Sequence, residues 1–236
     1  LISMRCHSDG VRIEILGTRG HMEHTAARHM FHSGVLVNDV LFDLGERSFL
    51  DRGPRAVFLT HLHADHAFFT EEEFGPLPVP TYAPQRWRSH PEVKVVHGSR
   101  EVDGLTIIPV PTVHSSSYRS CAYLVEDGIS RIMYTGDLVS VQRRYRDRLP
   151  EMDLVITDGS FIRHGGLVRK DERGRPHGHT GIPDLVRFFT PLSPRIVFTH
   201  FGSWFFKDVE GSVRAIEALS TTAQVEAAYD GMIIEM

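Results

Sequence analysis

The sequence predicts an α/β fold of four layers, an αββα sandwich in which two β-sheets pack together and helices cover their outer faces. The chain of 236 residues is long enough to bury a sizeable core. Strand-like runs dominate its first half, whereas helical patterns alternate with strands in its second half. This order of elements is typical of sheets covered by helices. We expect a single domain over residues 1–236.

Short apolar runs bounded by turn residues predict the strands. Alternating apolar and polar side chains indicate a strand over 11–16, and the apolar triplets on either side of Asn38 and Asp39 indicate a hairpin. Further strands are expected at 56–59, 93–96, 105–110, 122–125, 131–134, 153–156, 195–199, 225–229 and 232–234. Helices are expected at 84–88, at 182–189 with Thr180 as the N-cap, and at 207–219.

The composition is that of an ordinary globular protein with an unusual histidine content. A formal charge of -4 argues against a general polyanion binder, and 15 histidines favour a metalloprotein. The two cysteines, Cys6 and Cys121, form no CxxC pair, so neither a disulfide scaffold nor a zinc ribbon is indicated. No apolar run reaches the roughly 20 residues of a spanning helix, and residues 1–5 lack a signal-peptide pattern. We therefore expect a cytoplasmic protein without membrane contact.

The densest group of metal-ligand side chains lies at 60–66, directly after the predicted strand at 56–59. His61, His63, Asp65 and His66 fall within this segment. Imidazole nitrogens and carboxylate oxygens are the ligands of zinc-type ions. The spacing of His61 and His63 suits a loop, because side chains two apart diverge on a helix. Histidines on a solvated turn are the alternative interpretation.

Three further predicted strands end in a candidate ligand. His114 follows the strand at 105–110, Asp137 follows the strand at 131–134, and His200 follows the strand at 195–199. Because functional residues of an open sheet lie at the carboxyl ends of its strands, these residues are candidates for the same site. One polar residue after a strand is ordinary, but four such strand ends in one chain indicate a shared centre.

On these motifs the chain resembles the metallo-β-lactamase fold superfamily over nearly its whole length. The family pattern HxHxDH is matched by His61, His63, Asp65 and His66, and the later histidines and aspartate by His114, Asp137 and His200. The resemblance implies an αββα sandwich with two metal ions. It also implies that His61, His63 and His114 hold one ion, that Asp65, His66 and His200 hold the other, and that Asp137 bridges them.

A centre of this kind would make the protein a metal-dependent hydrolase. Two divalent ions share a hydroxide and bring the pKa of its parent water toward about 7, which provides a nucleophile at neutral pH. Asp65 is a candidate catalytic residue as well as a ligand, because its carboxylate can orient the hydroxide. Zinc suits the donor set best, with manganese or iron as alternatives.

The motifs resemble the phosphodiesterase branch of this superfamily, which includes RNase Z and cyclic phosphodiesterases, more than the true β-lactamases. The latter do not use the bridging aspartate that Asp137 supplies. The branch is similar in an acidic element like 158–161 and in a Gly-His-Ser/Thr element like 178–180. The resemblance implies that His179 contacts the scissile phosphate or protonates the leaving oxygen, with Asp158 as its partner.

Two departures argue against transfer RNA as the substrate. Only 23 residues separate His114 from Asp137, which leaves no room for the protruding arm of RNase Z enzymes, and the segment at 16–21 lacks their serine-rich continuation. We expect a smaller phosphodiester or nucleotide-like substrate. A lactone or thioester hydrolase on the same fold and a non-catalytic metal-binding relic are the alternatives.

Two groups of residues have no assigned role. His21, His24, His29 and His32 are interpreted as solvated loop histidines, although substrate contact or a further metal site is also conceivable. The stretch 160–180 is rich in glycine and basic side chains and is predicted to be a mobile loop. Its basic residues, and those at 143–148, are interpreted as solvated charges. Oligomeric state does not follow from the sequence.

Overall fold

A computed structural model describes residues 10–236. Cys6 and the N-terminal segment that lacks a signal-peptide pattern lie outside the described residues. The strands are β1 (Arg12–Gly17), β2 (Gly34–Val37), β3 (Val40–Phe42), β4 (Ala56–Phe58), β5 (Thr81–Ala83), β6 (Lys94–Val95), β7 (Arg100–Val102), β8 (Leu105–Val113), β9 (Cys121–Glu126), β10 (Arg131–Tyr134), β11 (Ser140–Val141), β12 (Leu154–Asp158), β13 (Leu167–Lys170), β14 (Pro176–His179), β15 (Arg195–Thr199), β16 (Gln224–Ala227) and β17 (Met232–Glu235). The α-helices are α1 (Arg143–Arg146), α2 (Ile182–Phe189) and α3 (Val209–Glu217).

Two large sheets form the body of the molecule. The first has the order β17-β1-β2-β3-β4-β5-β6, and its strands from β3 to β6 run parallel. The second has the order β11-β8-β9-β10-β12-β15-β16, with β7 also paired to β8. Strands β10, β12, β15 and β16 run parallel, and β8 points the same way because β8 and β10 are both antiparallel to β9.

The main core lies between the two sheets. Ile15 and Phe42 from the first sheet belong to the same buried cluster as Ile107, Tyr134 and Ile156 from the second. The alternation of apolar side chains along each strand supplies this inner face. Cys121 in β9 is part of the cluster, as expected for a buried thiol, and burial raises its pKa to about 12.

The predicted sandwich is confirmed, and its two outer layers differ in kind. Helices α2 and α3 pack on the second sheet, where Ile182, Phe189 and Ile216 are fully buried. The first sheet is covered by two 3₁₀ helices, Arg47–Arg52 and Phe68–Thr70, and by loops. None of the described helices is both long and apolar enough to cross a membrane.

Local predictions were wrong in three places. Residues 84–88 form a bend and the start of a turn instead of a helix, and Trp87 pairs with His90 across that turn. The helix at 182–189 is confirmed, but its N-cap is Gly181 instead of Thr180. The helix expected at 207–219 spans Val209–Glu217, because Asp208 accepts a hydrogen bond from the Gly211 amide and caps it there.

The segment 160–180 contains a two-stranded hairpin. Strands β13 and β14 pair in antiparallel register from Leu167 opposite His179 to Lys170 opposite Pro176. The hairpin is anchored at its base, where Gly178 donates its amide to the carbonyl of His114 and Thr180 donates to that of Leu138. It therefore carries His179 against the ends of the second sheet. Mobility of this segment stays a prediction.

Candidate metal centre

The carboxyl ends of six strands deliver polar side chains to one edge of the sandwich. His61 to His66 follow β4, His114 follows β8, Asp137 follows β10, and His200 follows β15. Asp158 is the last residue of β12, and Asp43 follows β3. Parallel strands end at the same edge, so residues far apart in the sequence meet there. All seven predicted metal ligands are brought together.

Three histidines and Asp137 form the first donor cluster. One ligand atom from each of His61, His63, His114 and Asp137 lies within 4.8 Å of the other three. The Oδ2 atom of Asp137 is 3.6 Å from His61 Nε2 and 3.3 Å from His114 Nε2. His114 is fixed by its Nδ1, which lies 2.9 Å from the carbonyl oxygen of Gly178. These contacts converge on one position that a tetrahedral ion fits.

Asp65, His66 and His200 form the second donor cluster. Asp65 Oδ2 lies 2.9 Å from His200 Nε2 and 3.7 Å from His66 Nε2. The Oδ1 atom of Asp137 is 3.1 Å from His66 Nε2 and 3.2 Å from His200 Nδ1. Asp137 thus turns one oxygen toward each cluster, which is the arrangement of a bridging carboxylate.

Two buried atoms in this cluster lack a hydrogen-bond partner among residues 10–236. They are His66 Nε2 and Asp137 Oδ1, which face each other without the alignment of a hydrogen bond. An unpaired buried polar atom is costly, and native proteins rarely keep one without a bound water or ion. The two atoms are a nitrogen and a carboxylate oxygen, so they fit a divalent ion. The donor set as a whole therefore suits metal binding.

The carboxylates and histidines of the second cluster shift one another's pKa values. Burial would raise the pKa of Asp137, but the neighbouring His200 and His66 hold it well below its usual range. Burial lowers the pKa of His200, yet Asp137 and its hydrogen-bonded partners raise it to about 10. The pKa of His66 is likewise raised well above its usual value, because Asp137 and Asp43 outweigh burial. Buried carboxylates thus hold protons on histidines where a cation would serve as the counter-charge.

His179 and Asp158 lie beside the second cluster. His179 Nδ1 is 2.8 Å from Asp158 Oδ2 and 3.1 Å from Ser160 Oγ. Asp158 is fully buried and also accepts hydrogen bonds from the amides of Leu138 and Ser160. Burial lowers the pKa of His179, but the carboxylates of Asp158 and Asp137 raise it by more. The pair orients the ring of His179 through Nδ1, and Nε2 makes no hydrogen bond within the described residues.

Asp137, Asp158, His179 and His200 also satisfy the geometry of a metal cluster. Asp158 and His179 are already satisfied by each other and by Ser160, whereas His66 Nε2 is unpaired. The set with His66 and Asp65 therefore gives the unpaired His66 Nε2 a partner, whereas the set with Asp158 and His179 does not. Asp158 and His179 are better described as neighbours of the metal ligands.

The sequence interpretation overlooked Asp43. Its side chain is fully buried and accepts hydrogen bonds from the Thr60 amide, the Thr60 hydroxyl and the Tyr134 hydroxyl. His66 Nδ1 lies 2.7 Å from Asp43 Oδ2, so Asp43 holds the ring that presents Nε2 to the centre. The signal was available, because Asp43 directly follows a predicted strand, and the other candidate residues also come after strands.

Replacing Asp43 should weaken both folding and metal binding. In Asp43→Ala the buried donors of Thr60, His66 and Tyr134 lose their acceptor, so we expect the free energy of unfolding to fall by about 3 kcal/mol. Metal affinity should fall about 10- to 100-fold, because the orientation of His66 is lost. Urea unfolding and competition with a chromophoric chelator measure these effects. The exposed Asp39→Ala serves as the control, and equal metal affinity in Asp43→Ala would contradict the role.

Gly136 allows the loop after β10 to reach the cluster. Its φ is +56°, and a Cβ atom there would lie 2.4 Å from the Thr60 hydroxyl oxygen. Any side chain would therefore push Asp137 away from the segment that carries His61. His200 also has a positive φ, of 56°, which is unusual for a residue with a side chain and is typical of functional sites.

The four N-terminal histidines have different environments. His21 and His24 are exposed, and His21 Nδ1 lies 3.8 Å from Asp65 Oδ1 at the edge of the centre. His32 pairs with Glu46 at 2.8 Å. His29 does not fit the interpretation as a solvated residue, because its side chain is buried beside Phe201 and Phe205 and its Nδ1 lies 2.9 Å from the Thr18 hydroxyl.

His29 should make stability depend on pH. Burial, with a smaller contribution from Arg28, lowers its pKa to about 4 from an ordinary value of 6.5. Between these values the unfolded chain binds a proton that the folded chain excludes, so the free energy of unfolding falls as the pH drops through this window. Between pH 7 and pH 5, protonation of His29 in the unfolded chain should lower the free energy of unfolding by about 1–2 kcal/mol. In urea unfolding, the free energy of unfolding of His29→Gln should depend less on pH than that of the exposed control His24→Gln. An equal pH dependence in the two variants would contradict the role of His29.

A cavity of about 550 Å³ opens over the centre. His63, Asp65, Asp137, His179 and His200 form its polar floor. Leu62, Tyr118, Phe161, Leu167 and Trp204 form apolar walls, and Glu71 lies at the rim. A small ligand can therefore lie against the metal ligands while its apolar part contacts aromatic side chains.

Comparison with known proteins supports this description. A family model described as "Beta-lactamase superfamily domain" matches residues 39–201, which include every predicted metal ligand. No curated protein matches the sequence of this chain. Among solved structures, the metallo-β-lactamase fold protein YhfI from Bacillus subtilis superposes with a TM-score of 0.71 at 19% identity, covering 97% of this chain and 100% of its own.

Two other solved structures have named activities. A diphosphatase from the PhnP family superposes with a TM-score of 0.68 at 19% identity, covering 96% of this chain and 97% of its own. The short form of human tRNase Z, ELAC1, has a TM-score of 0.61 at 17% identity, with coverage of 95% and 98%. At these identities the likeness concerns the fold. The family match over 39–201, which is more than half of the chain, establishes that this chain belongs to the β-lactamase superfamily.

Proposed function

We propose that the protein is a phosphodiesterase with two divalent metal ions that cleaves small phosphodiesters. The observation that carries this proposal is the His179–Asp158 pair beside the second donor cluster, with Nδ1 to Oδ2 at 2.8 Å. Cleavage of a phosphodiester releases an alkoxide, which needs a proton as the bond breaks. A histidine held by Nδ1, with its pKa raised by neighbouring carboxylates, is suited to donate that proton from Nε2.

The seven ligands would hold the ions in two groups that share Asp137. His61, His63 and His114 form one group, and Asp65, His66 and His200 form the other. Bound ions would supply a water of lowered pKa as the nucleophile and would polarise a phosphoryl oxygen. Asp65 adds an acceptor that orients the attacking group, and Asp43 keeps His66 in the tautomer that a metal ligand needs. Histidine and carboxylate donors favour zinc, with manganese or iron as alternatives.

A small substrate agrees with the surroundings of the cavity. Residues 114–120 connect β8 directly to β9, so no long arm projects beside the centre from this part of the described chain. Two structural relatives are named as a diphosphatase and a tRNase, and both names refer to substrates that contain phosphate. The absence of an arm at this position favours a compact phosphodiester over transfer RNA. A cytoplasmic location is part of the same proposal.

A substrate panel with defined metal content tests the proposal. The protein is stripped of metal, reconstituted with zinc, manganese or iron, and assayed with bis-p-nitrophenyl phosphate, a lactone and a thioester. We expect phosphodiester turnover with about two metal equivalents per chain. Strong ester turnover without phosphodiester cleavage would assign the protein to the carboxylic ester hydrolases. Metal content well below two equivalents without any turnover would identify a non-catalytic relic.

A further inference from the structure

A second cavity, of about 850 Å³, opens next to the metal-ligand cluster and is lined by cationic side chains. Arg119 comes from the loop before β9, Arg144 from helix α1, and Arg175 from the turn before β14. All three are exposed, and His97 lies in the same lining. No aspartate or glutamate of the described chain contributes to this lining. We call this cavity the arginine groove.

The guanidinium groups of the arginine groove are largely uncompensated. No carboxylate of residues 10–236 lies within 4.0 Å of Arg119 or Arg144, and Arg144 lies over the ring of Tyr145. Arg175 pairs with Asp171 at 2.7 Å, which fixes its position and removes part of its charge. Three cationic side chains from three different segments, two of them without an ion-pair partner in residues 10–236, create a local positive potential that attracts anions.

The floor of the arginine groove is apolar. Val96, Ile108, Pro109 and Pro111 supply this apolar part of the lining. A freely solvated cluster of arginines does not need such a floor, whereas a ligand with an apolar body and an anionic end matches both parts. The chemistry of the groove therefore points to an organic anion with a phosphate or carboxylate group.

The arginine groove adjoins the catalytic cavity. Tyr118 lines both cavities, and its ring centroid lies 5.1 Å from that of His63. His114 also lines the groove, and the hairpin that bears Arg175 bears His179 as well. On these contacts we propose that the groove binds a second anionic group of a small phosphodiester substrate whose scissile phosphate lies at the metal centre. This inference rests on the proposed function.

The surrounding charges favour a small substrate with two anionic groups over a nucleic acid. Glu71, Glu72 and Glu73 are three consecutive exposed residues, and Glu71 lines the catalytic cavity. The whole chain has a formal charge of -4. A long polyanion would lie close to these carboxylates and be repelled by them, whereas a compact substrate would contact only the arginines. The occupant is therefore a phosphodiester with one additional phosphate or carboxylate.

A matched pair of substrates tests the groove. Thymidine 5′-(p-nitrophenyl phosphate) has one phosphodiester, and its 3′-phosphorylated derivative adds a second anion. In Arg119→Ala/Arg144→Ala, kcat/KM for the 3′-phosphorylated substrate should fall about tenfold relative to kcat/KM for the simpler one. The control is Arg143→Ala/Arg148→Ala, which removes the same charge from exposed positions outside the lining and should leave the ratio unchanged.

Binding provides a second measurement that does not depend on turnover. Titration calorimetry with thymidine 3′,5′-bisphosphate should give a Kd about tenfold higher in Arg119→Ala/Arg144→Ala than in the wild type or the control. An unchanged ratio and an unchanged Kd would overturn the groove as an anion site, as would an equal loss in the control variant. If neither substrate is cleaved, the proposed function fails, while the Kd comparison still decides the arginine groove.

Discussion

Asp137→Ala is expected to abolish phosphodiester turnover while the protein remains folded. The carboxylate directs Oδ2 to His61 and His114 and Oδ1 to His66 and His200, all within 3.6 Å. No other side chain contacts both donor clusters in this way within the described chain. Its loss would leave two groups of histidines without a shared counter-charge. We expect kcat/KM to fall at least about a thousandfold, because both the nucleophile and the charge stabilisation depend on the pair of ions.

Metal analysis separates this effect from misfolding. Reconstituted Asp137→Ala should hold less than about one metal equivalent per chain, against about two in the wild type. Its far-ultraviolet circular dichroism should be unchanged, because Asp137 lies in a loop after β10 and contributes no core packing. The exposed Asp147→Ala is the control for loss of a carboxylate. Wild-type turnover in Asp137→Ala, or two retained equivalents, would contradict the bridging role.

The convergence of the seven candidate metal ligands was predictable from the sequence because each of them follows a strand. His114, Asp137 and His200 are separated by tens of residues, yet parallel strands place their carboxyl ends at one edge. The same reasoning applies to Asp43, which was missed because it stands alone after the short strand β3 without a histidine nearby in sequence. What the sequence does not show is its contact with His66, which depends on the packing of β3 beside β4.

Other features could not be predicted because they depend on tertiary contacts. The stretch 160–180 has few apolar residues to indicate a strand, and its hairpin is held by backbone hydrogen bonds to the loops after β8 and β10. The burial of His29 depends on Phe201 and Phe205, which are more than 170 residues away in the sequence. The arginine groove similarly gathers basic residues from three segments, each of which resembles an ordinary solvated loop.

His179→Ala should affect substrates according to their leaving group. If His179 donates a proton to the departing oxygen, its loss matters most when that oxygen leaves as an alkoxide. For thymidylyl-(3′→5′)-thymidine we expect kcat to fall about 100- to 10,000-fold. For bis-p-nitrophenyl phosphate, whose phenolate leaves without protonation, we expect a fall of less than about tenfold. Metal content should remain at the wild-type level, because His179 is already paired with Asp158 and Ser160.

Asp158→Asn extends the same argument to the partner of His179. The Asp158 carboxylate holds Nδ1 of His179 at 2.8 Å and raises the pKa of the ring. Asp158→Asn replaces this carboxylate by a neutral amide, so it should reduce turnover of thymidylyl-(3′→5′)-thymidine more than turnover of bis-p-nitrophenyl phosphate. The effect should have the same direction as that of His179→Ala but be smaller. Equal losses on both substrates in the two variants would contradict proton donation and would assign His179 to contact with the scissile phosphate. The ratio of the two substrates thus distinguishes the two roles of His179, which a single substrate cannot do.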